Sequence, residues 1–433
     1  MKLRVLSKSR RRAVILVLTL WIVMVLSLLA ESLAFEMFVE MKLTGLHRDQ
    51  FLAEQLGRIG VSRAVTDLRN DNLLAEDQNI MPQTHFDAYG DVWAGGSTGP
   101  RVFEVAAEER GDPVGNYSLL VVDEESRLDL NNSNPLSREV IKDLLILLDV
   151  EETKASDISD AIYDWKDPDN MVCSGKGESE ISYYSKMQGK VRGSDEGGPV
   201  CYPKNAPFDT VEELLQIPGM TAELFYGYDP SKGGKPEFFP SQGEQRGRRK
   251  PGLKDLVSVR ARQSNINTLR EECLAAVLGF AAGSVQTGES LARAVVQYRQ
   301  SDRETGIDNT SAFRRVDQLG QLEGISSPLL AKARSVVPLT TQSNCFTIFC
   351  EARYGKRAVK VWNSRSRTSD DRPLPTARIV ATCDRAYIPY LEEEGQEEAI
   401  PPGCKSRAMV RPDGVSVMTW LVPVVYLKGW NSF

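Results

Sequence analysis

Five acidic residues in one short stretch carry the strongest hint of chemistry in this sequence. Asp164, Asp167 and Asp169 fall within six residues, and Glu178 and Glu180 follow. Carboxylates are hard oxygen donors. Cations such as calcium gather roughly six to eight oxygens, from carboxylates and backbone carbonyls, in flexible loops. The spacing is not that of the EF-hand. On spacing alone, a solvated acidic loop closed by a Cys173–Cys201 disulfide is the simpler reading.

Other chemistry is scarce. The 433 residues include only two histidines, His47 and His85, so a histidine-based triad or a multi-histidine zinc site is hard to assemble. No nucleophile elbow, phosphate-binding loop or dinucleotide glycine motif stands in a strand–turn–helix context, and no enzyme is expected. A formal charge of −6 argues against a general polyanion binder. The seven cysteines leave their pairing open. In an oxidising compartment Cys173–Cys201 and Cys383–Cys404 are the natural local pairs, with Cys273 the obvious free thiol. Equally, all are simply buried thiols.

The acidic loop must be positioned by the elements around it, and these begin with the N-terminus. Lys2, Arg4, Lys8, Arg10, Arg11 and Arg12 precede 18 uncharged residues, Ala13 to Ala30. That is about the minimum for a spanning helix, and the basic flank keeps the N-terminus in the cytoplasm. Helical spacing continues through Leu52, Leu56 and Ile59, and no proline occurs before Pro82. One helix from about Ala13 to Asn70 is expected, starting in the membrane and ending in a folded domain.

An internal repeat follows. "FDTVEELLQIPGMTAELF" aligns without a gap to "FRRVDQLGQLEGISSPLL", matching Phe208 with Phe313, Leu214 with Leu319 and Gly219 with Gly324. Upstream, Asn131 lies opposite Asn267, and "ISDAIYDW" opposite "LARAVVQY". The expected unit spans about 127–227 and recurs at about 263–333. In each, an asparagine turn caps an apolar helix, a second helix follows, and a helix–glycine–helix hairpin closes the unit. This is a helix-hairpin-helix, SAM-like pattern. DNA-binding hairpins carry a second glycine and basic flanks. Here Thr221 and Ser326 replace the glycine and Glu212, Glu213 and Glu223 surround the first hairpin, which favours a purely structural turn.

"RLDLNN", "DAIYDWKDPDN", "ESEISYY", "NAPFDTVEELLQIPGM", "SNINT" and "CFTIFCEARYGKRAVKV", in that order, resemble the K-type minor pseudopilins of type II secretion, the GspK family. The resemblance covers about Ala13 to Trp362. It implies an α+β fold: a pilin-like core, with a long N-terminal helix on a small antiparallel sheet, and a large inserted all-α domain holding the two repeats. The expected organisation is a basic leader at 1–13, a transmembrane and assembly helix at 14–74, a first part of the sheet at 75–125, the inserted domain at 126–340, and the second part with a C-terminal extension at 341–433. Strands are expected at Arg101–Glu109, Asn116–Glu125 and over "CFTIFCEARY" and "RAVKVWN". The tail "WLVPVVYL" is too short for a second span and reads as sheet.

The resemblance further implies calcium held by Asp164, Asp167, Asp169 and Glu180, with Glu178 a weaker candidate. It implies cleavage by a prepilin peptidase between Ala13 and Val14, although family members carry glycine at the Ala13 position. Leu18 stands where most pilins have glutamate, as is common in this family. The implied role is non-enzymatic: a single-pass protein of the inner membrane with its bulk in the periplasm, placed at the pseudopilus tip. Its implied partners are the I- and J-type minor pseudopilins and the major pseudopilin, with no nucleic acid. There it would initiate assembly for protein secretion. The competing reading is a membrane-anchored helix-hairpin-helix receptor for DNA uptake. The absent hairpin glycines and the acidic balance argue against it.

Overall fold

The computed structural model describes residues 8–70, 86–94, 101–106, 113–173, 179–184, 203–229, 238–239, 251–300, 311–355, 375–390, 405–410 and 416–432. For residues 8–14, 70, 104, 106, 113–114, 386–390, 405–410 and 416–432 the backbone alone is described. The chain combines a long N-terminal helix, an inserted helical region and a small sheet. By contacts it divides into two units, 1–57 with 104–117 and 352–377, and 58–103 with 118–351 and 378–433.

Helix α1 runs from Lys8 to Asn70 without interruption. Its membrane-length part is exposed on all sides: Leu16, Trp21, Phe35 and Met41 are each more than half accessible. This helix is long and apolar enough to cross a membrane. Within the first unit, Ala53 and Leu56 of α1 are buried. Within the second, Val61, Ala64 and Leu68 are buried at the helical spacing that puts them on one face.

Among the described residues the sheet has six strands in the order β1-β2-β7-β8-β10-β9. They are β1 (Arg101–Ala106), β2 (Pro113–Asp123), β7 (Cys345–Tyr354), β8 (Thr376–Tyr390), β9 (Lys405–Val410) and β10 (Ser416–Ser432). Residues 345–348 of β7 are buried on both faces, while Phe349 is only half-buried. The C-terminal extension forms β9 and β10. Strand β10 pairs antiparallel with β8 from Trp420↔Tyr390 to Ser432↔Ile379, with a bulge between Leu427 and Gly429. The segment "RAVKVWN" and residues 107–109 of the first expected strand lie outside the described residues.

Between β2 and β7 lie the short strands β3 (Leu128–Asp129), β4 (Val257–Ser258), β5 (Ser264–Asn265) and β6 (Leu339–Thr340). The helices of this region are α2 (Ser137–Leu147), α3 (Glu152–Lys166), α4 (Ala222–Tyr226), α5 (Glu271–Ala282), α6 (Val285–Gln300) and α7 (Ser327–Val336). One apolar core joins them, with Leu144, Leu214, Phe225, Ala276, Val295 and Leu319 at its centre.

The sequence repeat corresponds to repeated contacts. Asn131 Nδ2 donates to Phe208 O (3.0 Å), and Phe208 N donates back to Asn131 Oδ1 (2.8 Å). Asn267 and Phe313 repeat the exchange at 2.9 and 2.8 Å. Trp165 stacks on Phe208, as Tyr298 does on Phe313. Lys166 donates to Leu130 O and Arg299 to Ile266 O. Strand β3 pairs parallel with β4, and β5 with β6. Gly219 and Gly324 turn their hairpins at φ +85° and +86°, a backbone that glycine adopts without strain.

Two expectations are corrected. Asn131 and Asn267 do not cap helices: α2 and α5 begin at Leu136 and Arg270 without a side-chain cap bond. The asparagines instead reach across the unit to a phenylalanine backbone far along the chain. The first arm of each hairpin, Val211–Gln216 and Val316–Gln321, is a 3-10 turn and not an α-helix. Each is six residues long, closed by Glu213 or Gln318 folding back on the chain entry, and tight i→i+3 bonds satisfy so short a segment.

Candidate metal centre

The acidic loop grows out of the end of α3. Asp164 lies on the buried side of the helix and is fully inaccessible. Its Oδ1 accepts the Cys173 backbone N–H (2.9 Å) and its Oδ2 accepts the Tyr184 hydroxyl (2.6 Å). Asp167 is the residue at which the helix stops, and its own N–H still bonds to Tyr163 O (3.1 Å). Beyond it the chain doubles back. Met171 and Ser179 form an isolated antiparallel bridge, and Glu180 N–H donates to Asn170 O (3.3 Å). Glu180 thereby opens a helical turn and is 1% exposed. Asp169, at the rim, accepts the Met171 N–H on Oδ1 (2.7 Å). Its carbonyl accepts Asn205 Nδ2 (2.5 Å), which ties the loop to the approach to the first hairpin.

These turns bring three of the four expected carboxylates, Asp167, Asp169 and Glu180, into one group, while Asp164 groups with Asp167 and Cys173. Ligand oxygens of Asp167, Asp169 and Glu180 lie within 4.8 Å of one another, and those of Asp164 and Asp167 lie within the same distance of the Cys173 sulfur. Asp167 Oδ1 and Glu180 Oε1 are buried and have no hydrogen-bond partner among the described residues. Burial, with Asp164, Asp167 and Asp169 adding to it, pushes the Glu180 carboxyl up to about 8. Burial and the neighbouring Asp169 and Asp164 raise Asp167 to about 6. Lys166 gives little relief: its Nζ turns away to the carbonyls of Leu130 (2.8 Å) and Asn132 (2.6 Å). Buried orphan oxygens beside like charges are what a hard divalent cation would satisfy, and the donor set fits calcium.

Cys173 was visible in the sequence only as half of a disulfide. It stands at the cluster, with Sγ 4.0 Å from Asp167 Oδ2. Burial and the Asp164 carboxylate raise its thiol to about 12, so it is protonated and a poor hard-metal ligand. Cys173, Cys273, Cys345, Cys350 and Cys383 all carry free thiols. The expected partners Cys201 and Cys404 lie outside the described residues, as does Glu178. Tyr184 and Asn205 were not singled out, though "ESEISYY" and "NAPF" contain them. Ala13 and Val14 fall on α1, where side chains are not described.

Residues 118–231, which include the whole of this loop, match the family model described as Type II secretion system (T2SS), protein K. A chain of the crystal structure of the GspK-GspI-GspJ complex from the enterotoxigenic Escherichia coli Type 2 Secretion System is similar in fold. Its TM-score is 0.50 at 16% identity, over 90% of this chain and 99% of that chain. No curated protein matches the chain. The resemblance to K-type minor pseudopilins is borne out.

Proposed function

We propose that this chain is a K-type minor pseudopilin that sits at the tip of a type II secretion pseudopilus and initiates its assembly, without enzymatic activity. One observation carries the reading: the protein K match over 118–231 falls on a chain whose α1 is long and apolar enough to cross a membrane. The helix anchors the subunit in the inner membrane, N-terminus in the cytoplasm, as the six basic residues before Ala13 favour. It then packs beside the helices of the I- and J-type and major pseudopilins. The similar chain in the GspK-GspI-GspJ complex supports the first two partners. The two repeats serve as scaffold, not for nucleic acid. A prepilin peptidase cleaves between Ala13 and Val14.

Calcium bound by Asp164, Asp167, Asp169 and Glu180 pins the loop to the end of α3. The orphaned oxygens of Asp167 and Glu180 support this. Asp164 holds Tyr184 and the Cys173 backbone, and so presets the two ends of the loop. Deletion of the gene tests the role. Secretion of the system's substrates should stop and be restored by the intact gene, and unimpaired secretion in the deletion would refute the reading.

A further inference from the structure

A second concentration of acidic groups lies away from the metal loop, within the unit formed by 58–103, 118–351 and 378–433. Asp87 and Asp123 are fully inaccessible and Glu125 is 2% exposed. Asp91 stands next to them and accepts the Ala88 N–H (2.8 Å) and Trp93 Nε1 (3.3 Å). These four carboxylates come from two separate stretches, the segment 86–94 and the end of β2 with the 3-10 turn Glu124–Ser126 that follows it. Donors from the inserted region and from the turn before β7 bind them. Gln263 Nε2 donates to Glu125 (3.1 Å), and Thr268 Oγ1 to Asp123 Oδ2 (2.5 Å). Asn265 Nδ2 donates to Asp87 O (3.0 Å) and Ser343 Oγ (2.7 Å). Ser343 in turn gives its hydroxyl to Asp123 (2.6 Å) and its N–H to Asp87 Oδ2 (2.7 Å). The Tyr89 hydroxyl donates to Thr268 O (2.8 Å).

Positive charge here is spoken for. Arg385 of β8, fully buried, is bonded to Asp87 and to Ser343 O. Arg127 and Arg260 act on Glu124, which Ser258 and Thr347 also hold and which stays below the usual carboxylate range. Arg270 and Arg299 act on Tyr89. Asp123 receives three donors, from Thr268, Ser343 and the Glu125 N–H (2.8 Å), which favour its ionised form. Burial and Asp87 oppose them and prevail, raising it to about 7. Burial and Asp87 likewise raise Asp91 to about 7. Burial and Asp123 raise Glu125 to about 9.

We propose that this cluster is a proton-dependent clasp. While Asp123 and Glu125 hold protons, it fastens the start of the second repeat, through Gln263, Asn265 and Thr268, to β2 and the Ser343 turn. As the protons leave, like charges gather in a place with little water, and the clasp slackens. The sign follows from linkage. Above the ordinary carboxylate range, near pH 4, the folded protein keeps protons that the unfolded chain releases. Stability therefore falls as pH rises, up to about 7 for Asp123 and about 9 for Glu125. The clasp does not depend on the secretion reading, since it uses no metal-loop residue and no partner.

The test is amide hydrogen exchange, read by mass spectrometry on the full chain in detergent micelles, with and without calcium. Protection of residues 263–270 is compared at pH 6 and pH 8 after correction for intrinsic exchange, with the core of α5 as reference. Wild type should lose at least about tenfold in protection at 263–270 relative to α5, the decade from pH 6 to 7 over which Asp123 gives up its proton, with any loss from Glu125 added to it. Asp123→Asn and Glu125→Gln, which keep an acceptor but cannot ionise, should each remove a large part of that loss. Equal relative protection at both pH values in wild type overturns the clasp, whether or not either variant folds. So does a full tenfold loss that persists in both variants.

Discussion

Asp167 and Glu180 approach each other from opposite sides of a loop closed by the Met171–Ser179 bridge, each with a buried carboxylate oxygen that no donor among the described residues reaches. Two such groups repel each other once both are ionised, and a cation between them relieves this. Calcium should therefore stabilise the fold by mass action, by about 2–3 kcal/mol at a hundredfold excess over its dissociation constant. Thermal unfolding with calcium and with chelator measures this. Asp167→Ala combined with Asp169→Ala should abolish the difference. A chelator-insensitive wild type, or a double variant that still responds, would place the metal elsewhere.

The same loop sets a pH dependence. Without metal, Glu180 titrates at about 8 and Asp167 at about 6. Calcium must displace those protons, so its affinity should fall as pH drops from 8 to 6, by up to about tenfold per unit for each proton displaced. Calorimetry in buffers of different ionisation enthalpy would detect the released protons. An affinity flat over that range would contradict the assignment of Glu180 as a ligand.

The asparagine–phenylalanine exchanges predict an asymmetry between the repeats. Asn267 is 3% exposed, whereas Asn131 is half-buried. Asn267→Ala strands the Phe313 backbone groups in a dry place and should cost about 2–3 kcal/mol. Asn131→Ala leaves groups that water can partly reach and should cost about 1 kcal/mol. Chemical denaturation of the two variants reads the difference, and equal losses would count against equivalent roles with unequal burial.

Much of this was legible in the sequence because it rests on local periodicity. The apolar run and the absence of proline before Pro82 announce α1, and the ungapped match of Phe208 with Phe313 announces the repeat. The four loop carboxylates were legible through their closeness in sequence. The clasp was not. Asp87, Asp123, Thr268, Ser343 and Arg385 are scattered across the chain, and each alone reads as a surface residue. Only the pairing of β7 with β8 and the return of the inserted region bring them together. Nor did the sequence separate a capping asparagine from one that binds a distant backbone, because both uses begin with the same turn.

The N-terminus gives a further prediction. If α1 serves assembly after cleavage, the mature chain starts at Val14, and mass spectrometry of the protein from native membranes should find that terminus. A start at Met1 would mean a retained anchor, and a start at Phe35 would mean removal by signal peptidase, with loss of the assembly helix.

The central claim is that this chain assembles with other minor pseudopilins. The most direct measurement is size-exclusion chromatography, at micromolar concentration, of the purified chain mixed with the I- and J-type subunits of the same secretion system. One species containing all three is the predicted result. Separate elution of this chain at every mixing ratio, while the I- and J-type subunits remain folded, would contradict it.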